Sequence, residues 1–144
     1  MTVTPTDELD IYVKSVLGMK AGNPVLLDVR HMTSVADAFL ICHGMSSRQA
    51  SAIAEHVQRV LKKQGIKPLS VDGIKEGQWI LMDYGHVVIH VFYESTRRFY
   101  NLEGLWSGAR SIQTPSLRRV AESTDPEDGG ADFDDEADEI IFIE

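Results

Sequence analysis

Much that would direct a reader to chemistry is missing from this chain of 144 residues. It has a single cysteine, Cys42, so no disulfide can form within it. The opening stretch MTVTPTDELD has no basic segment followed by an apolar one, so no secretory signal is expected. Together these point to a reducing cytoplasm. No run approaches the roughly 18 apolar residues of a membrane span. Neither a G-x-G-x-x-G fingerprint nor a P-loop occurs. No Asp-x-Asp or Asp-x-Glu falls on an expected strand, and such a pair is what two-metal phosphoryl or nucleotidyl transfer requires.

Basic residues are missing from the last part of the chain. Glu122 to Glu144 hold eleven acidic groups and no Lys or Arg. The net charge of −8 therefore belongs to an appendage. Residues 1–121 carry fourteen basic against eleven acidic groups, a balance of +3. The folded part has neither the basic excess of a typical DNA or RNA binder nor strong acidity. The expected organisation is one domain over residues 1–119 and an acidic tail over 120–144, whose low hydrophobicity and one-signed charge suit disorder. The tail closes on an apolar plug, IIFIE.

What is present is a regular alternation of helical and strand patterns. Thr4, Pro5, Asp7 and Glu8 suit a helix start, with Leu9, Tyr12, Val13, Val16 and Leu17 at helical spacing. Strands are expected over Val25–Arg30 and from ADAFLICHG to Gly44. Ser46 and Gln49 form a capping box for a helix with Ala50, Ile53, Ala54, Val57, Val60 and Leu61 on one stripe and Gly65 at its end. PLSVD reads as a short strand. A hairpin over Trp79–Asp83 and Val87–Phe92 then turns at Tyr84-Gly85. A third helix starts near Ser95 and holds Phe99, Leu102, Leu105 and Trp106. Three helices and about five strands, with a hairpin and a crossover, make an α+β fold with a mixed sheet.

Candidate sites are few. Cys42 and His43 are adjacent, but on a strand their side chains point to opposite faces, so they make no thiolate–imidazole pair. His86 and His90 share a face yet lie roughly 13 Å apart along a strand, too far for one zinc ion. GMSSR lacks the second glycine of a nucleophile elbow. Arg97, Arg98, Phe99 and Tyr100, with Arg118 and Arg119, make two small basic clusters. The plain reading puts Phe99 in the core and the arginines in ion pairs or water. Trp79, Leu81 and Asp83 fall on one face of the first hairpin strand, and Ile80, Met82 and Tyr84 on the other. The pattern leaves Trp79 equally suited to core and to a partner's pocket.

Three stretches carry a resemblance: DAFLICHGMSSRQASAIAEHV, W-x-x-x-D-x-G-x-V-x-x-H over Trp79–His90, and RRFYNLEGLW over Arg97–Trp106. Across about residues 7–107 the chain resembles the ribosomal silencing factor family (RsfS, or Iojap). The resemblance implies a nucleotidyltransferase-like fold without the catalytic carboxylates, no enzymatic activity and no cofactor. It implies binding to the large ribosomal subunit through ribosomal protein uL-fourteen, a steric block to subunit joining, and a homodimer. By motif position the docking residues would be Trp79, Met82, Asp83 and Tyr84. Two other readings stay open: a nucleotide binder using the Gly44–Ser47 turn, and an RNA-binding module using the arginine clusters. For the tail, contact with the basic clusters or mimicry of RNA charge is a further expectation.

Overall fold

In a computed structural model of the protein, residues 6–123 are described. The expected cap at Thr4 and Pro5, and the tail, lie outside them. Helix α1 spans Thr6–Leu17 and buries Leu9, Tyr12, Val13 and Val16, the face that the helical spacing marks. Strand β1 (Gly22–Asp28) begins earlier than the expected Val25 and stops before Arg30. Asp28 ends it by turning its carboxylate back onto Arg30, 2.7 Å from Nη2. That pairing holds the Asp28 carboxyl at about 2.

Strand β2 (Ala38–Gly44) leads into helix α2 (Ser47–Lys63). The capping box forms: Ser46 Oγ accepts from Gln49 N at 3.0 Å, and Gln49 Oε1 accepts from Met45 N at 2.8 Å. At the other end Ile66 N donates to Leu61 O while Gly65 sits at φ +80°, the left-handed termination open to glycine. Ala50, Ile53, Ala54, Val57 and Leu61 are buried. Each of the larger three contributes about 1.5–3 kcal/mol by leaving water.

The remaining elements are β3 (Ser70–Asp72), β4 (Trp79–Asp83), β5 (Val87–Tyr93), α3 (Glu94–Tyr100), α4 (Leu102–Leu105), β6 (Arg110–Ser111) and α5 (Pro115–Ser123). Six strands form one sheet in the order β3-β4-β5-β2-β1-β6. β2 and β5 run parallel at its centre, and the other pairings are antiparallel. The architecture is α+β with a mixed sheet, as the sequence indicates, but with one strand and two helices more than the reading there. β6 has only two residues, too few to show a period. The expected third helix is two helices, broken where Asn101 takes a left-handed φ of 47°. The domain boundary drawn after Arg119 falls inside α5.

The sheet has two unlike faces. On one, Leu26, Leu40, Cys42, Ile80, Met82, Ile89 and Val91 pack beneath α1, α2 and α5 in a single core. On the other, Leu27, Phe39, Ile41, Val88 and Phe92 gather with Leu102, and with Trp79, Leu81 and Trp106 partly exposed. The short α4 is that core's helical contribution. The alternation of β4 puts Trp79, Leu81 and Asp83 toward this second face.

Helix α5 is fastened to α1 by one carboxylate. Asp10, buried, accepts from Ser116 N at 2.9 Å and from Ser116 Oγ at 2.8 Å. Burial alone would raise its pKa, but hydrogen bonds from Thr114 and Ser116 outweigh burial and lower it. A carboxyl with a depressed folded pKa contributes stability above its unfolded pKa and loses it as pH falls through the folded one. Asp10→Ala is therefore expected to cost about 1–3 kcal/mol at neutral pH in urea unfolding, and less in acid.

Candidate docking face of the hairpin

The hairpin's geometry begins at its entry. Gly77 has φ +68°, and a Cβ there would stand 2.3 Å from Ser47 O. Only glycine lets this loop lie against the start of α2. At the far end Gly85 takes φ +93°, and its N–H donates to Asp83 Oδ1 at 2.8 Å. Tyr84 N closes the turn on Val87 O. Asp83 thus serves as a turn former with its second carboxylate oxygen left for other contacts, and it is half-buried.

Trp79 lies on the face away from α1 and α2. Its ring packs against Phe92 at 4.9 Å between centroids and against Tyr100 of α3 at 5.0 Å. Its indole N–H donates to His90 Nδ1 at 3.1 Å. Since an indole nitrogen is a donor only, His90 Nδ1 must be the acceptor and its proton lies on Nε2. That nitrogen is buried without a hydrogen-bond partner among the described residues, while the ring stands edge-on to Phe39 at 4.8 Å. Burial pushes the His90 pKa down to about 4. His90 is therefore a neutral strut for Trp79. Its contribution to stability is whole above the unfolded histidine value and drains away as pH falls through about 4. Tryptophan fluorescence is expected to hold steady near neutrality and to change on that descent. His90→Phe should remove the titration.

The other two residues implicated by motif position stand elsewhere. Met82 is fully buried and Tyr84 nearly so, both in the core beneath the helices. The Tyr84 ring tilts against Tyr12 at 5.5 Å, and burial, then the nearby Tyr12, pushes its pKa up to about 12. Their side chains support β4 and its turn from below and are not presented to a partner.

Two residues outside the sequence assignment shape this face. Tyr100 covers one side of Trp79. Arg97, buried, holds four acceptors: Glu103 Oε2 at 2.7 Å, Glu103 Oε1 at 3.4 Å, Gly22 O at 3.2 Å and His43 Nδ1 at 2.8 Å. Burial and then the Arg97 charge lower the His43 pKa, which keeps the imidazole an acceptor. Arg97 ties α3 to α4, β1 and β2 at once. Arg98 pairs with Glu94 as the plain reading expects. Phe99 does not go to the core: it is 80% exposed. With Arg97 facing the sheet, a residue two positions on is turned by about 200° around the helix. The only sequence signal for this is Asn101, a residue tolerant of the left-handed region that resets the helical phase.

The chemical candidates stay apart. Cys42 is wholly buried on the helix side, its thiol pushed up to about 12 by burial, while His43 is on the opposite face with Arg97. His86 meets Tyr12 edge-on at 5.7 Å, well away from the Trp79–His90 pair. Among the described residues no group of three His, Cys, Asp or Glu could hold a metal ion, and no helix is long and apolar enough to cross a membrane.

Residues 3–139 match the family model described as ribosomal silencing factor during starvation. The chain belongs to this family. The matched span runs past Arg119, well into the acidic stretch. The ribosomal silencing factor RsfS of Halalkalibacterium halodurans is 40% identical over 105 residues, covering 73% of this chain and 90% of that protein. That of Bacillus subtilis is 42% identical over 90 residues, covering 62% and 76%. A crystal structure from Bacillus halodurans superposes with a TM-score of 0.67 at 37% identity, over 76% of this chain and 99% of that one. Membership in the silencing factor family supports a ribosome-associated silencing role for this chain.

Proposed function

We propose that this protein is a non-enzymatic repressor of translation that binds the large ribosomal subunit through ribosomal protein uL-fourteen and blocks subunit joining by occupying the joining face. The observation that supports this reading is the sheet face without α1 or α2 over it, where Trp79 stands partly exposed between Phe92 and Tyr100. An aromatic ring fixed in orientation by a hydrogen bond and two ring contacts meets a partner with little conformational freedom left to lose. Such residues dominate interface energies. In this proposal Trp79 and Asp83 touch the partner, while Met82 and Tyr84 hold the strand and turn beneath them. The protein acts in the cytoplasm, and a homodimer of the free protein is part of the same reading.

Purified large subunits, and separately the isolated uL-fourteen protein, test the proposal by co-sedimentation and calorimetry. Binding to both, with loss of subunit joining in a light-scattering assay, is the expected result. Binding to naked ribosomal RNA with a steep salt dependence, and not to the isolated protein, would replace it with the RNA-binding reading.

A further inference from the structure

Three of the exposed large apolar side chains among the described residues come from one short segment, α3–α4. Phe99 is 80% exposed, Leu105 74% and Tyr100 50%, and Phe99 meets Tyr100 edge-on at 5.0 Å. A ridge of this kind on α3–α4 is unfavourable in water unless something covers it. The chain has an apolar segment to place there. Ile140, Ile141, Phe142 and Ile143 lie outside the described residues and follow sixteen positions, 124–139, that contain nine acidic groups and no basic one.

Reach and charge both favour this seat. α5 packs on the helix side of the sheet, with Leu117 in that core, and α3–α4 lie on the other side. The path between them rounds the sheet edge at β6, which four residues separate from Leu105 and three from Pro115. Two layer spacings of about 10 Å each set a span of roughly 20 Å. A generic sixteen-residue linker has a root-mean-square length of about 22 Å, and like charges extend such a linker further, so sixteen positions are enough for that span. A groove nearer α5, lined by Leu17, Val25, Ile112, Leu117 and Val120, would need only a few linking residues. Arg110 on β6 and Arg118 on α5 are exposed along the route and take part in none of the ion pairs among the described residues.

We propose that residues 140–143 of this same chain dock on the ridge of Phe99, Tyr100 and Leu105, with the acidic stretch laid across Arg110 and Arg118. The contact is intramolecular and stands independently of the ribosomal reading. A nitroxide on Glu144→Cys tests it in the full chain, because Cys42 is fully buried and its thiol does not compete for the label. In an isotope-labelled sample the amide signals of Phe99, Tyr100 and Leu105 are expected to broaden selectively. The broadening should weaken in high salt and vanish in the Ile141→Ser/Phe142→Ser double variant. It should be absent when the nitroxide chain carries no isotope and is mixed with an unmodified labelled chain. Broadening in that mixture would assign the ridge to a second copy and overturn the proposal. Broadening at Val25, Ile112 and Val120 would move the segment to the α5 groove and overturn it equally, as would no broadening at all.

Discussion

Trp79→Ala is expected to weaken binding to large ribosomal subunits by about 30-fold, the equivalent of roughly 2 kcal/mol for an anchoring aromatic. The side chain is only partly exposed and packs against the second core, so the truncation removes core contacts as well as the proposed anchor. The neighbouring Ile80 and Met82 keep β4 in the core. Far-ultraviolet circular dichroism should be unchanged, while the urea midpoint should fall because the buried His90 loses its donor and Phe92 its ring neighbour. Binding is therefore compared under conditions where the variant is fully folded. A folded variant that co-sediments as well as the natural protein would remove Trp79 from the interface. Trp79→Phe separates two parts of the effect. It keeps an aromatic ring against Phe92 and Tyr100 but gives up the bond to His90, and it should fall between the two.

A large effect on stability is expected from Glu103→Ala. Arg97 is 6% exposed and Glu103 provides its two carboxylate contacts. Glu103 is 31% exposed, so the pair is part-buried, and removing its carboxylate from the buried guanidinium is expected to cost about 1–3 kcal/mol. His43 and Gly22 O retain their bonds to Arg97 but are neutral and cannot replace the charge. Burial raises the Glu103 pKa while Arg97 lowers it further, so the net direction is down. The pair's contribution is therefore present above the ordinary carboxyl range and is lost as pH falls through the folded value. Urea unfolding at neutral pH should show the full loss, and the gap between natural protein and variant should narrow in acid. A gap that stayed constant with pH would mean that Glu103 acts by packing and not by charge.

The sequence and the structure part company in an instructive way. α2 and the hairpin were legible almost to the residue, because Ser46, Gln49, Gly65 and Gly85 mark their ends with chemistry that depends on nearest neighbours alone. Trp79, Leu81 and Asp83 were placed on one face by the period of two. What the period could not supply was which face the helices cover. The motif that joins Trp79, Met82, Asp83 and Tyr84 is continuous in sequence, whereas β4 sends alternate members to opposite sides. Arg97 and Glu103 were illegible for a different reason. They are six positions apart, off helical spacing, and meet only because Asn101 bends the chain between them. Phe99 shows the same limit from outside: a helical pattern sends an apolar residue to the core, but Arg97 already occupies the inward position.

The parallel pairing of β2 with β5 governs how the chain assembles. Ala38 pairs with Val87, so this central ladder joins residues nearly fifty positions apart, and loop-closure entropy opposes it until α2 and the hairpin are in place. By contrast β4 and β5 pair from Asp83–Val88 to Trp79–Phe92, contacts local enough to form on the microsecond scale of hairpins. Refolding should therefore be limited by the central ladder, with Trp79 already against Phe92 before the sheet is complete. During synthesis β2 waits, with one edge unpaired, until the ribosome has released β5.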